Sequence, residues 1–314
     1  PLPAAPNPRT LTLPSAVALD NSNNVFVADM AGALNSRILK FRQALSIADF
    51  SSPATVTSDT NGTYVPLTLT DAVHGFPAYN TLNNPRGVAV HTNGDIYVAD
   101  TGNNLIKHYG GDGTWIRTFG NVTLAPGLNN VGAGSLNAPE GIYICTTTNL
   151  TNNVVLFVAD TANNSIRQID TNGTITTITL LPAVVATLGA FQPSALVVHQ
   201  TTDFVATNYA GGTNFNSGSL FAVTSPPALP AAVTSCNALS GTNIYIADRL
   251  NNRIVWLFFT NGAWGGVNLA GSSAGASGFA DGNNTTARFN SPSGITRDGA
   301  GNLYVSDRGN NAIR

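Results

Sequence analysis

The chain has 314 residues, 43% of them hydrophobic, which is enough for a real core and excludes a wholly disordered chain. Charged residues make up only 10% and the net charge is −2, so the clustered cations that phosphate binding requires are missing and nucleic-acid binding is disfavoured. No apolar run approaches the roughly 20 residues of a membrane helix, because the longest, Leu180 to Phe191, is short and contains Pro and Gly.

Read along the chain, short strands and turns recur. RTLTL (Arg9 to Leu13) is an isolated strand pattern. PSAVALD from Pro14 then reads as a first strand, and VFVADMAGALNSRILKF (Val25 to Phe41) as a second strand, a turn and a third. A long connection from Arg42 to Asn84 follows. Its Thr/Ser-rich part, Ser51 to Thr70, reads as a surface insertion, with Ala72 to Gly75 as the outer strand. PRGVAVH from Pro85 and DIYVADTGNNLIKHY (Asp95 to Tyr109) repeat the pattern, and Thr114 to Phe119 adds a fourth strand. PEGIYIC from Pro139, LFVADTANNSIRQI (Leu156 to Ile169) and Thr174 to Ile178 do so again.

PSALVVH from Pro193 opens a fourth copy, whose second half, Asp203 to Val223, is degenerate. A fifth has only TSCNALS from Thr234, then NIYIADRLNNRIVWL (Asn243 to Leu257) and Trp264 to Leu269. PSGITRD from Pro292 and NLYVSDRGNNAIR (Asn302 to Arg314) form the sixth. Four short antiparallel strands per unit, repeated six times, describe an all-β, six-bladed β-propeller. The expected blades span residues 14–82, 83–135, 136–190, 191–232, 233–287 and 288–314, in one domain over 1–314. The sixth lacks an outer strand. Residues 9–13, a continuation past Arg314, or a strand exchanged between subunits could supply it.

The two motifs, P-x-G-[VI]-A-V and then [IL]-Y-V-A-D-[TR]-x-N-N-x-I, resemble the NHL-repeat family. The resemblance covers most of the chain and implies a six-bladed propeller, in agreement with the count of units. Peptide-amidating lyases with this type of propeller place zinc histidines after the Pro of the first motif. Here those positions are Ser15, Arg86, Glu140, Ser194 and Ser293, so that activity is not expected.

The repeated Asp29, Asp100, Asp160, Asp248 and Asp307 fall at one turn per blade. They read as acceptors for backbone N–H groups rather than as metal ligands, and the Asn-Asn pairs read as turn formers. His74, His91, His108 and His199 offer no convergent set of metal ligands. The motif turns and the Pro-x-Gly segments share one face of the disk, where Arg86, Glu140, Arg249 and Arg308 stand out as a candidate binding face. Cys145 and Cys236 have neither metal nor redox spacing, and two free thiols are expected. Asn61, Asn121, Asn149, Asn163, Asn172, Asn283 and Asn284 lie in Asn-x-Ser/Thr sequons, which permit glycosylation in a secreted protein.

No catalytic constellation and no cofactor motif is recognisable. The expected function is a non-enzymatic, secreted or cell-surface interaction or scaffold module, without membrane insertion. Its sharper form is a subunit of a surface fibre or larger secreted assembly. The partner would be a protein, a glycan or another copy of the chain. The alternative is a lyase or hydrolase with a metal in the propeller channel, which predicts stoichiometric zinc or calcium.

Overall fold

The computed structural model describes residues 11–22, 24–30, 36–41, 64–66, 81–121, 134–146, 154–170, 172–200, 242–260 and 262–314. The strands are β1 (Pro14–Leu19), β2 (Val25–Asp29), β3 (Arg37–Phe41), β4 (Tyr64–Pro66), β5 (Gly87–Val90), β6 (Ile96–Asp100), β7 (Leu105–Tyr109), β8 (Trp115–Phe119), β9 (Pro139–Thr146) and β10 (Val154–Asp160). They continue with β11 (Ser165–Ile169), β12 (Ile175–Thr177), β13 (Pro193–Gln200), β14 (Thr242–Asp248), β15 (Arg253–Thr260), β16 (Ala263–Gly271), β17 (Pro292–Arg297), β18 (Leu303–Asp307) and β19 (Ala312–Ile313). One helix, α1 (Pro182–Leu188), lies between β12 and β13.

Among the described residues these strands form five sheets, each a run of successive strands. Four have four strands and the last has three. The architecture is all-β, with blades of the propeller type, but there are five blades and not the expected six. Register explains the difference. In the first and last sheets the Pro of the first motif lies opposite the Asp of the second, Pro14 against Asp29 and Pro292 against Asp307, with a bulge just after the Pro. Pro193 finds its Asp at Asp248, so β13 pairs directly with β14 across the intervening 41 residues. The expected fourth and fifth units thus contribute one sheet. The degenerate copy at 203–223 and the segment from Thr234 lie outside the described residues.

A second correction concerns the first sheet. Its fourth strand is β4, paired with β3 through Leu39–Pro66 and Phe41–Tyr64. That strand falls within the stretch read as insertion. Residues 72–75, the expected outer strand, lie outside the described residues. The outer strands expected after Asp112-Gly113, Asn172-Gly173 and Asn261-Gly262 are present as β8, β12 and β16.

The chain divides into two compact units. The first holds residues 1–144 and 158–176, and the second holds 145–157 and 177–314. In the first unit, Ala16, Ala18, Phe26, Ala28 and Ile38 of the first sheet pack on Val88, Val90, Ile96, Val98 and Tyr109 of the second. In the second unit, Ala195, Ala247 and Ile254 of the fourth sheet pack on Ile295 and Val305 of the fifth. In these two pairs, alternation along the strands turns a face of alanines with Ile38 or Ile254, and in the first sheet Phe26, toward the following sheet, which meets it with a mainly Val/Ile face.

Helix α1 was not apparent from the repeat pattern. Pro182 suits its first turn, and Gly189, at φ 65°, ends it. Val184 and Leu188, four residues apart, are buried while Val185 is exposed. Gly266 of β16 lies under Val184 and Leu188, so the helix covers the outer strand of the fourth sheet. Among the described residues no helix is long and apolar enough to cross a membrane.

Candidate functional site

The turn after the second strand repeats its chemistry in every sheet. One carboxylate oxygen accepts the backbone N–H of a residue next to or near the motif Pro. The donors are Leu13 to Asp29 at 2.8 Å, Asn83 to Asp100 at 2.6 Å, Asn137 to Asp160 at 2.6 Å, Gln192 to Asp248 at 2.8 Å and Asn290 to Asp307 at 2.7 Å. The other oxygen faces a cation near the start of the third strand. These are Arg37 at 3.1 Å, Lys107 at 3.3 Å, Arg167 at 3.7 Å, Arg253 at 2.7 Å and Arg314 at 3.3 Å. The five buried carboxylates are therefore each engaged within their own sheet, where they hold the first strand to the turn. Burial pushes the Asp100 carboxyl up to about 6, against the pull of Lys107 and the Asn83 and Asn103 hydrogen bonds. Burial also raises Asp160.

The two Asn residues have distinct tasks. The first donates to the Asp, with Asn103, Asn163 and Asn310 at 2.8, 2.8 and 2.7 Å from the second carboxylate oxygen. The second closes the turn in the left-handed region, as at Asn104 (φ 60°) and Asn252 (φ 52°). Its side chain also reaches the next sheet. Asn104 Oδ1 accepts from the Ala138 N–H at 2.7 Å, and Asn252 Oδ1 from the Ser291 N–H at 2.8 Å.

Hydroxyls make a parallel link. Ser15 donates to the Pro85 carbonyl at 2.7 Å, Thr101 to the Pro139 carbonyl at 2.6 Å and Ser194 to the Pro292 carbonyl at 3.1 Å. Ser15, Thr101 and Ser194 thus clasp one sheet to the next.

The candidate binding residues separate accordingly. Arg86 and Glu140 come together at 3.1 Å and bridge the second and third sheets, with Glu140 largely buried. They form a structural pair. Arg249 and Arg308 hold equivalent positions, each directly after the turn Asp, in the fourth and fifth sheets. Arg249 is half-buried and Arg308 exposed. Beside Arg249 stands Leu250, 65% exposed, which the sequence reading did not single out. The five cations that serve the turn Asp residues were also missed, although each follows its Asp within eight positions.

His91 and His108 have separate partners. His91 Nδ1 lies 2.7 Å from Asn93 Oδ1, and His108 Nε2 lies 2.9 Å from Asp95 Oδ2, with the ring stacked on Tyr97 at 4.1 Å. His74 lies outside the described residues. Burial lowers the His108 pKa more than Asp95 raises it, so the folded state holds the ring neutral. As pH falls below about 6.5 the unfolded chain takes up this proton first, and the stability tied to the neutral ring is lost. Thermal melts of wild type and His108→Gln between pH 7 and pH 5 should therefore show a steeper acid loss in the wild type. Asp100 and Asp160 are common to both proteins and cancel. Parallel curves would show that His108 does not carry the slope.

The cysteine expectation is overturned. Cys145 is disulfide-bonded, and no free cysteine stands among the described residues. The other cysteine, Cys236, lies outside the described residues. The sequons also differ among themselves. The Asn163 amide is tied to Asp160, Asn121 and Asn284 are half-buried, and Asn172 and Asn283 are exposed. Asn61 and Asn149 lie outside the described residues.

Residues 82–109 and 289–314 match the NHL repeat, so the second and fifth sheets carry NHL repeats. No curated protein matches the sequence. Among solved structures, the chain is similar to an auxiliary nutrient binding protein from Bacteroides ovatus. The identity is 15% over 97% of this chain and 59% of that one, with a TM-score of 0.55. Another, from Bacteroides thetaiotaomicron, matches at 16% identity over 97% and 58%, with a TM-score of 0.54. A streptogramin B lyase is similar at 15% identity over 93% and 61%, with a TM-score of 0.47. The chain spans less than two thirds of the length of each of these proteins.

Proposed function

We propose that this chain, with its NHL repeats on propeller blades, is a non-enzymatic binding or scaffold module that works outside the cell or at its surface. Its turn face in the second unit captures an acidic partner, a carboxylate-bearing glycan or protein. The observation that carries this reading is the placement of Arg249 and Arg308 at the same turn position of two adjacent sheets, beside exposed Leu250. An arginine pair suits bidentate carboxylate recognition, and an adjacent aliphatic side chain supplies apolar contact.

Two further observations support the location. A disulfide at Cys145 suits an oxidising compartment. Two proteins of similar fold are called auxiliary nutrient binding proteins. The finer reading is a subunit of a fibre or larger secreted assembly.

A glycan array with matched neutral and carboxylate-bearing sugars, alongside a set of acidic peptides, tests the binding reading. Binding should concentrate on the carboxylates and fall at least tenfold in Arg249→Ala/Arg308→Ala, as loss of two charge-assisted contacts implies. Equal binding by the double variant would remove this face from the account.

A further inference from the structure

Phe279 is the one exposed phenylalanine among the described residues, 68% exposed, whereas Phe289 close by is buried in the core of the second unit. The backbone on both sides of Phe279 is fixed. Gly278 donates its N–H to the Phe289 carbonyl at 3.0 Å, and its own carbonyl accepts from the Asn310 amide at 2.7 Å. The Ala280 carbonyl accepts from the Arg288 N–H at 3.0 Å and from Arg314 Nη2 at 2.9 Å. The Arg314 guanidinium lies 4.8 Å from the centre of the Phe279 ring and 5.5 Å from that of Phe289, so the exposed ring is propped on a cation that rests on the core. Each of these contacts lies within the second unit.

The ring also stands clear of its neighbours. Residues 276–278 and 280–282 are Ala, Ser, Gly, Ala, Asp and Gly, so Asp281 alone among them has a side chain of any reach. That side chain is 97% exposed and meets Arg314 at 2.6 Å. The segment lies on the turn face. Asn310, which holds Gly278, belongs to the turn that Arg308 opens. Asn252, in the turn of Arg249 and Leu250, donates its amide to the Gly275 carbonyl at 2.8 Å.

We propose that Phe279 is a stacking platform for a sugar ring, so that the acidic partner of the turn face is a uronate-bearing oligosaccharide rather than a protein. A pyranose offers a flat patch of C–H groups that packs on an aromatic face, whereas a protein anchor is gripped by surrounding contacts that exclude water. Here small neighbours leave the ring raised and accessible. Its fixed backbone and propped ring lower the ordering cost of binding. A sugar seated on Phe279 turns hydroxyls toward the Asp281 carboxylate, an acceptor, and its own carboxylate toward Arg308 in the adjacent turn. This deepens the binding reading above and rests on it.

Calorimetric titration of the full chain tests the proposal, with tetrasaccharides of galacturonate, glucuronate, mannuronate and guluronate, their methyl esters, and tetraglutamate as probes. At least one uronate should bind, about tenfold or more tighter than its ester. Phe279→Ala and Phe279→Leu should each weaken that binding about tenfold or more with little change in melting, because the ring is exposed. Leucine keeps the apolar bulk but lacks the ring, and Phe279→Trp should bind as well as wild type. Uronate binding that survives Phe279→Leu would overturn the platform. Tetraglutamate bound as tightly as any uronate, lost in Arg249→Ala/Arg308→Ala and indifferent to Phe279→Ala, would overturn the glycan assignment and leave the acidic-partner reading standing in its protein form. Binding of neither kind of acid would overturn both.

Discussion

Lys107→Met is expected to destabilise the first unit by about 3–5 kcal/mol at neutral pH, the usual cost of removing one partner from a buried ion pair. Lys107 and Asp100 are both fully buried, 3.3 Å apart. The ammonium also donates to the Thr81 carbonyl at 3.3 Å. Without it, the Asp100 carboxylate keeps the Asn83 N–H and the Asn103 amide but loses its charge partner. The pH dependence gives a second handle. Burial already lifts Asp100 from 3.8 to about 6 with Lys107 in place. A folded-state pKa above the unfolded value means that the folded chain takes up the proton first as pH falls, so acid relieves the penalty. Loss of the cation lifts the carboxyl further and strengthens that relief. Urea denaturation at pH 7.5 and pH 5 should show the Lys107→Met deficit shrinking at the lower pH. The double variant Asp100→Asn/Lys107→Met should recover part of the loss, because no buried charge is left alone. A deficit under 1 kcal/mol at pH 7.5, or one that grows on acidification, would mean that the pair is not the anchor of this blade.

The turn chemistry was legible because the chain states it repeatedly. Asp-x-x-Asn-Asn at Asp100, Asp160, Asp248 and Asp307, with Asp29 at the same place in the first unit, assigns the Asp to backbone donors, and the structure adds only which donors they are. The cations were not legible as a set. Arg253 directly opposes Asp248 across the strands, whereas Lys107 opposes Val98, two positions further along the third strand. The cation thus sits at different places along the third strand, and in the first sheet after a longer turn, which hides the interaction from a fixed motif. The blade count failed for a related reason. Sequence order alone pairs the Pro193 strand with the nearest tyrosine-containing segment, at 203–223. The actual partner is decided by a cross-strand match of Pro193 with Asp248, and a match of that kind is visible only once strands are paired. The inward role of Ser15, Thr101 and Ser194 was not legible because a serine or threonine beside a turn looks alike in sequence whether it meets water or a neighbouring carbonyl. Arg86 and Glu140, by contrast, stood out as part of a binding face because charges are rare here. Their pairing is a contact between two sheets that lie 54 positions apart in sequence.

The motif glycine gives the second large effect. Gly87→Val is expected to cost about 1–3 kcal/mol or more, as for other overpacked sites, and to loosen the second sheet from the third. Gly87 is not required by its backbone, since it is absent from the positive-φ glycines. Alanine holds the same place in the first and fourth sheets, at Ala16 and Ala195. The requirement comes from approach. A Cβ at position 87 would strike the backbone carbonyl oxygen of Glu140 on β9, and backbone cannot swing aside as a side chain can. Displacing that carbonyl also moves Glu140 relative to Arg86, so the 3.1 Å ion pair should open with it. Gly294 provides the control. A methyl group there meets chiefly the hydroxyl of Ser306 on its own sheet, a group that can rotate away. Gly294→Ala should therefore cost less than Gly87→Ala, and Gly87→Val should cost most. Thermal melting of the three variants ranks them directly. Equal losses for Gly87→Ala and Gly294→Ala would trace the glycine to strand propensity and remove the close approach of the second and third sheets as its cause.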